Sequence, residues 1–379
     1  TLGAEAAWAL NLPLPRRYQF AYTLAHGAGG SAFYWFMWSL GMRCANSWVG
    51  DDWAYFRENY EALVRGGGGF WVWILHYAFW HYKKSLALLD FDRPLLILVR
   101  DPISTFKHII NHQHGSSRKK DEFKLGDAYE ELIPDILYNH ARREGAGWVV
   151  EKKTTPSIEN LHSHGGSMQF DLVRKWVPHS EVFYLDMQEI LPQNAFLTLQ
   201  KLALQFGFTP PKPKEREFYE TMHNSGGLVV ILDFRVVLCE GVVVWVDSAK
   251  TRRHLNENFI NLNEEILGED PKNFKLCMER RALELLLEKG GLMQEAKIYL
   301  RGLYRHYLQR VESEAKKLLS EAQVLEYFEK NRDLALQYKK AFDAELADIK
   351  QKRPDIVASW KHYAEFERIC AGFGGAAGG

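Results

Sequence analysis

Five consecutive aliphatic residues, Leu95-Leu96-Ile97-Leu98-Val99, stand between Pro94 and the triplet Arg100-Asp101-Pro102. A run this short and this apolar, closed at both ends by proline, reads as a strand buried on both faces, as in a parallel sheet. Pro102 stops the strand and suits the first turn of a following helix. Arg100 then lies at the carboxyl edge of the sheet, where α/β folds place their ligands. A charged group there needs a partner, and a guanidinium fork suits a phosphate. The plainer alternative is an Arg100–Asp101 pair that stabilises the turn. Ser104 adds a hydroxyl one helical turn on, and Lys107 and His108 extend the positive patch.

A second segment makes the same demand from another direction. Tyr18 to Leu24 reads as a strand, His26-Gly27-Ala28-Gly29-Gly30-Ser31 as a loop, and Ala32 to Leu40 as a buried aromatic helix. Strand, glycine loop and helix together place backbone N–H groups around a phosphate. The alternative is a tight turn with Ser31 as an ordinary N-cap. The loop has neither the Gly-x-Gly-x-x-Gly spacing nor the Lys-Ser/Thr ending of a Walker loop.

The other expected elements follow from periodicity and punctuation. They are helices at Asp52 to Val64, Ala128 to Arg143, Phe170 to Trp176 and Pro192 to Phe206. Strands are expected at Phe70 to Leu75, Gly147 to Glu151 and Glu181 to Leu185. A helix from Phe70 to Lys84 is a fair alternative to the first of these. Leu228 to Leu238 and Val242 to Val246 read as a hairpin turning at Glu240-Gly241. From Asn273 onward the chain reads as helical, with a stripe at Leu300, Leu303, Tyr307, Val311, Leu318, Ala322 and Leu325. Pro210, Pro211 and Pro213 suggest a boundary. The expected organisation is an α/β core over 1–210, then a β-hairpin and helical region over 211–379 with a disordered tail from about 372. The fold class is α/β, a parallel sheet with helices on both faces.

Composition narrows the function classes. Lys plus Arg equals Asp plus Glu at 48 each, so charge gives no case for a nucleic-acid partner. The most apolar stretch, Phe70 to Trp80, holds His76 and is too short to cross a bilayer. Cys44, Cys239, Cys277 and Cys370 have neither metal-ligand nor redox spacing, which fits a reducing, cytoplasmic setting. His108, His112 and His114 lack the Glu of a zinc-peptidase helix and read as a basic rim with Lys107 and Arg118 to Lys120, so no metal is expected. Glu151-Lys152-Lys153-Thr154-Thr155-Pro156 resembles a Glu-Lys-Ser/Thr-Pro segment found near substrate in some glycan sulfotransferases, and that resemblance makes Lys152 and Lys153 minor candidates for holding an acceptor. His162 and His164 read as loop residues. The Glu/Lys-rich helices from Leu283 to Lys350 are candidates for capping a cleft or forming a homo-oligomer.

Taken together, the glycine loop after the first strand, a strand ending in His76 and a strand ending in Arg100-Asp101-Pro102 resemble the sulfotransferase fold, a P-loop-like architecture. The likeness extends over about residues 18 to 208 and includes the strand, Asp186 and helix ending in Gly207-Phe208. The segment Leu95 to His112 also resembles an uncharacterised family of bacterial proteins often found near surface-glycan genes. The resemblance implies a co-substrate, 3′-phosphoadenosine-5′-phosphosulfate, and a carbohydrate or similar hydroxyl acceptor. It implies that His26, Gly27, Gly29, Gly30 and Ser31 hold the 5′-phosphosulfate, that Arg100 with Ser104 or His108 holds the 3′-phosphate, and that His76, or else His81, is the base. The family's loop lysine has no counterpart here unless His26 serves. Its second-phosphate serine, eight residues past the arginine, is replaced by His108. Two alternatives stay open: a catalytically inactive nucleotide- or glycan-binding protein, and an ATP-dependent phosphotransferase.

Overall fold

The computed structural model describes residues 2–25, 27–45, 51–75, 83–88, 92–111, 121–133, 142–144, 147–149, 157–164, 166, 168, 170–176, 181–221, 231, 233–247 and 256–375. The chain divides into two compact units. One comprises residues 1–109, 158–224 and 320–379, the other 110–157 and 225–319. The units are interleaved along the chain, and the prolines at 210, 211 and 213 lie inside the first.

In chain order the strands are Tyr18–Leu24 (β1), Arg43–Ala45 (β2), Trp71–Leu75 (β3), Leu95–Val99 (β4), Glu122–Lys124 (β5), Arg142–Glu144 (β6), Gly147–Val149 (β7), Val182–Asp186 (β8), Phe234–Cys239 (β9), Val242–Asp247 (β10), Phe259–Asn261 (β11) and Lys275–Glu279 (β12). The first unit holds a five-stranded sheet in the order β2-β3-β1-β4-β8. Every pairing in it is parallel. All five residues of β4 are buried, as its proline-bounded aliphatic run requires. From β1 the chain moves toward β2 and β3; from β4 it moves the other way, to β8. The connections therefore diverge after β1 and β4, which makes their carboxyl ends a topological switch point, the place where open α/β sheets hold their ligands.

Local chemistry sets the flanking helices. Helix Gly30–Ser39 starts after Gly29, whose φ of 95° is left-handed. Its expected burial holds for Phe33, Phe36 and Met37 only, because Tyr34 and Trp38 face outward. Helix Asp52–Arg65 is capped by Asp51, which accepts from the Ala54 N–H at 2.8 Å. Helix Pro192–Phe206 has proline in its first turn and closes on left-handed Gly207. The helices beyond Ser320 bury Phe328, Tyr338, Phe342 and Phe366 in one aromatic cluster, and Phe106 of helix Pro102–Asn111 joins it. Much of their apolar surface is thus buried inside this unit, although Leu336 stays exposed.

The second unit holds the order β11-β12-β10-β9-β5, antiparallel except for β5 against β9. β9 alternates buried and half-buried residues, the signature of a sheet covered on one face. The expected hairpin is β9 and β10, turning at Glu240-Gly241. Val236, Val244, Leu276 and Phe274 share a core with Leu300, Leu303 and Tyr307 of helix Leu292–Ala315.

Several expectations need correction. Ala128 to Arg143 is not one helix. Tyr129–Leu132 forms a single turn and Arg142–Glu144 is extended against β7; residues 134–141 lie outside those described. Pro134 disfavours helical geometry at Ile133, which has φ −130° and ψ 62°. The chain after Asn273 does not begin as helix, since β12 runs between β10 and β11 before helix Arg280–Glu288 starts. Ala322 is exposed, because the helix breaks before Ser320 and the buried face restarts at Val324, Leu325 and Phe328. The tail is ordered further than expected: helix Lys361–Gly375 passes through Gly372.

Candidate functional site

Three strand ends of the first unit converge. The loop after β1 contains Gly27, with φ 81°; a Cβ there would lie 2.5 Å from Cδ2 of His108. Arg100, one residue past β4, donates from Nη1 to the Gly27 carbonyl at 2.8 Å. The close approach of His108 and the left-handed backbone together explain why glycine stands at 27. Gly29 meets the third strand end: a Cβ there would lie 3.2 Å from Met187 and 3.3 Å from Ile190, both in the turn after β8. The loop is thus clamped between the ends of β4 and β8.

Asp101 does not pair with Arg100. Its Oδ1 accepts from the Ile103 N–H at 2.9 Å, capping the helix that Pro102 begins. Its Oδ2 accepts from the N–H groups of His362 and Tyr363 at 2.9 and 3.2 Å, at the start of helix Lys361–Gly375. One buried carboxylate therefore serves two helix N-termini. Asp186, level with Val99 on the adjacent strand, caps the turn Met187–Ile190 through the Gln188 N–H at 2.6 Å. Its other oxygen accepts from Trp360 Nε1 at 2.5 Å. Burial raises the Asp186 carboxyl above its ordinary range, against the opposing pull of these hydrogen bonds.

Among the described residues, Arg100 makes one hydrogen bond, to Gly27, and it is half-buried. Burial pulls its pKa down, while Glu321, Asp101 and Asp186 oppose that shift. His108 is pushed down to about 4, first by burial and then by Arg100 and Lys107, so it is neutral at physiological pH. Ser104 is buried, and its Oγ donates to Glu321 Oε1 at 3.0 Å. Lys107 Nζ reaches the same oxygen at 3.1 Å. Burial works to raise the Glu321 carboxyl, but its own backbone N–H, Lys107 and Ser104 outweigh it and hold it below the usual range.

Of the residues proposed from sequence, the structure brings together Gly27, Gly29, Gly30, Arg100, Ser104 and His108. Ser31 is exposed at the second helical position, and Gly29 takes the N-cap place the plainer reading gave to Ser31. His26, His76 and His81 lie outside the described residues, as do His112, His114, Lys152 and Lys153. His162, expected in a loop, sits on the one-turn helix Leu161–His164 and contacts Tyr327 at 3.1 Å. Among the described residues, no three His, Cys, Asp or Glu side chains group to hold a metal. No helix of the described residues is long and apolar enough to cross a membrane. Glu321 was not foreseen. The only local trace is its place after Ser320 in a Ser-x-x-Gln capping box, which announces a helix start but not its neighbours.

A family model described as "Protein of unknown function (DUF2972)" matches residues 184–373, half of the chain. The chain belongs to this family. No curated protein and no solved structure matches it. The span matched by the DUF2972 model contains Asp186, Met187, Ile190, Glu321, Trp360 and His362. It therefore supplies the groups that close on the strand ends, while the glycine loop and Arg100 precede it.

Proposed function

We propose that this chain binds the phosphate groups of a nucleotide at the carboxyl ends of β1 and β4 and transfers a sulfuryl group from 3′-phosphoadenosine-5′-phosphosulfate to a hydroxyl, such as that of a carbohydrate. The observation that carries the reading is the 2.8 Å bond from Arg100 to the Gly27 carbonyl. It fixes a half-buried guanidinium beside a left-handed glycine loop at the switch point and leaves its remaining N–H groups for an anion. In the transfer, the acceptor oxygen bonds to sulfur as the bond from sulfur to the 5′-phosphate oxygen breaks. The hydroxyl proton passes to a base, for which His76 is the sequence candidate, and 3′,5′-bisphosphoadenosine departs. The protein's part is positioning and neutralising charge, through loop N–H groups and Arg100.

One observation favours a second reading, nucleotide binding without transfer: Ser104 and Lys107 are already engaged by Glu321. The test is a calorimetric titration with 3′,5′-bisphosphoadenosine, AMP and ATP, alongside an assay for sulfuryl transfer from the labelled donor. The bisphosphate is expected to bind, and R100A to weaken it by about 30-fold, the scale of truncating one charged, partly buried contact. AMP should lose much less. Equal losses for both nucleotides, or none, make Arg100 structural and defeat the reading. Tight binding with no transfer selects the second reading.

A further inference from the structure

The geometry points to Glu321 as an internal competitor that occupies the subsite for a second anionic group beside Arg100, so that a ligand's outer phosphate must displace it. This rests on the nucleotide-phosphate reading above. The subsite is assembled from two elements. Helix Pro102–Asn111 offers Ser104 and Lys107, one helical turn apart on one face. Helix Glu321–Lys330 offers its N-terminus, where Ser320 already caps the Gln323 N–H but the positive end of the backbone dipole still favours an anion. A hydroxyl, an ammonium and a helix N-terminus form a receptor for a tetrahedral oxyanion, and one carboxylate oxygen of Glu321 now takes both side-chain contacts, at 3.0 and 3.1 Å.

Two features separate this carboxylate from an ordinary surface ion pair. Its partner Ser104 is buried, so without an acceptor the hydroxyl would be left unsatisfied. Arg100 also feels the negative charge of Glu321, though among the described residues it hydrogen-bonds Gly27 instead. The Arg100 fork therefore has capacity for an anion held at Ser104 and Lys107, four and seven residues further along the same segment. A planar carboxylate fills only part of the coordination that a phosphate would use. Lys107 and Glu321 keep side-chain exposures of 24% and 22%, which leaves a route for exchange with solvent.

Displacement makes Glu321 a determinant of specificity. A nucleotide with only a 5′-phosphate need not disturb it, whereas one with an added 3′-phosphate must. The experiment uses the full chain as wild type, E321A, E321Q and E321A/K107A, titrated with 3′,5′-bisphosphoadenosine and with AMP. E321A should bind the bisphosphate roughly tenfold more tightly than wild type, as when the competent state rises from about a tenth of molecules to nearly all. AMP should change by less than about twofold, and E321A/K107A should lose the gain. E321Q keeps the helix start without the charge and should show the same direction, which guards against a folding defect in E321A. Thermal shift with inorganic sulfate provides a readout independent of nucleotides: E321A should gain sulfate-dependent stabilisation that wild type and E321A/K107A lack. If no variant binds nucleotide but E321A gains the sulfate response, the nucleotide reading fails and the displaced-carboxylate subsite stands. If E321A gains neither, or gains equally for AMP and the bisphosphate, Glu321 is not a competitor at this subsite.

Discussion

The two sheets of this chain solve the burial problem differently, and the difference decides where their polar side chains gather. In the second unit β9 alternates buried and half-buried residues, with one face on the core and the other partly open. In the first unit β4 is buried along its whole length, enclosed by β1 and β8. A strand closed on both faces has no room for polar side chains except at its ends. The polar residues are found there: Arg100 and Asp101 after β4, Asp186 at the end of β8, and the glycine loop after β1. Parallel pairing brings these ends to one edge, whereas antiparallel neighbours such as β9 and β10 point opposite ways. The parallel unit concentrates charge at one edge; the antiparallel unit spreads its polar residues along its strands.

Mutations can break this comparison at its strongest point first. I97A removes a fully buried side chain from the enclosed strand and should cost about 2–5 kcal/mol in denaturant unfolding. V243A removes a half-buried side chain from β10 and should cost well under that. Equal costs would mean that the two sheets are not differently enclosed.

The pH dependence tests the edge itself. Burial holds His108 neutral, with its pKa pushed from 6.5 down to about 4. Above pH 6.5 the imidazole is neutral in both folded and unfolded chains and imposes no penalty. As pH falls from 6.5 toward 4 only the unfolded chain takes the proton, so stability falls by up to roughly 3 kcal/mol. H108Q should flatten that part of a chemical-denaturation profile; an unchanged slope would assign it to other groups. Next in size, D101N should cost about 2 kcal/mol, since one carboxylate caps two helix starts at about 1 kcal/mol each. A loss of a few tenths would show that its two caps are replaceable.

Sequence carried much of this edge and little of what closes over it. The proline-bounded run at 95–99, the glycine loop and the helix starting at Pro102 could be read directly, because each depends on local rules of burial, φ and proline geometry. The partners of Asp101 could not, since His362 and Tyr363 lie more than 260 positions away. Glu321 is 217 positions from Ser104 and looks locally like any acidic first-turn residue. The single break expected near 210 likewise missed that residues 320–379 return to the first unit. Nothing local in those amphipathic helices says which core their apolar faces join. Strand β12 is hidden in the sequence for a related reason: its β character comes from the two strands that flank it.

The proposed function places an anion in the corner between Arg100 and the glycine loop. The most direct test is to soak crystals of the full chain in selenate, then in 3′,5′-bisphosphoadenosine, and to locate selenium by anomalous scattering and the nucleotide by difference density. The predicted result is an oxyanion within hydrogen-bonding distance of the Arg100 guanidinium, with the nucleotide's 5′-phosphate against the loop from Gly27 to Ser31. Density confined to another place, such as the roughly 490 Å³ groove beside β8 lined by Phe183, Lys201 and Arg353, would contradict it.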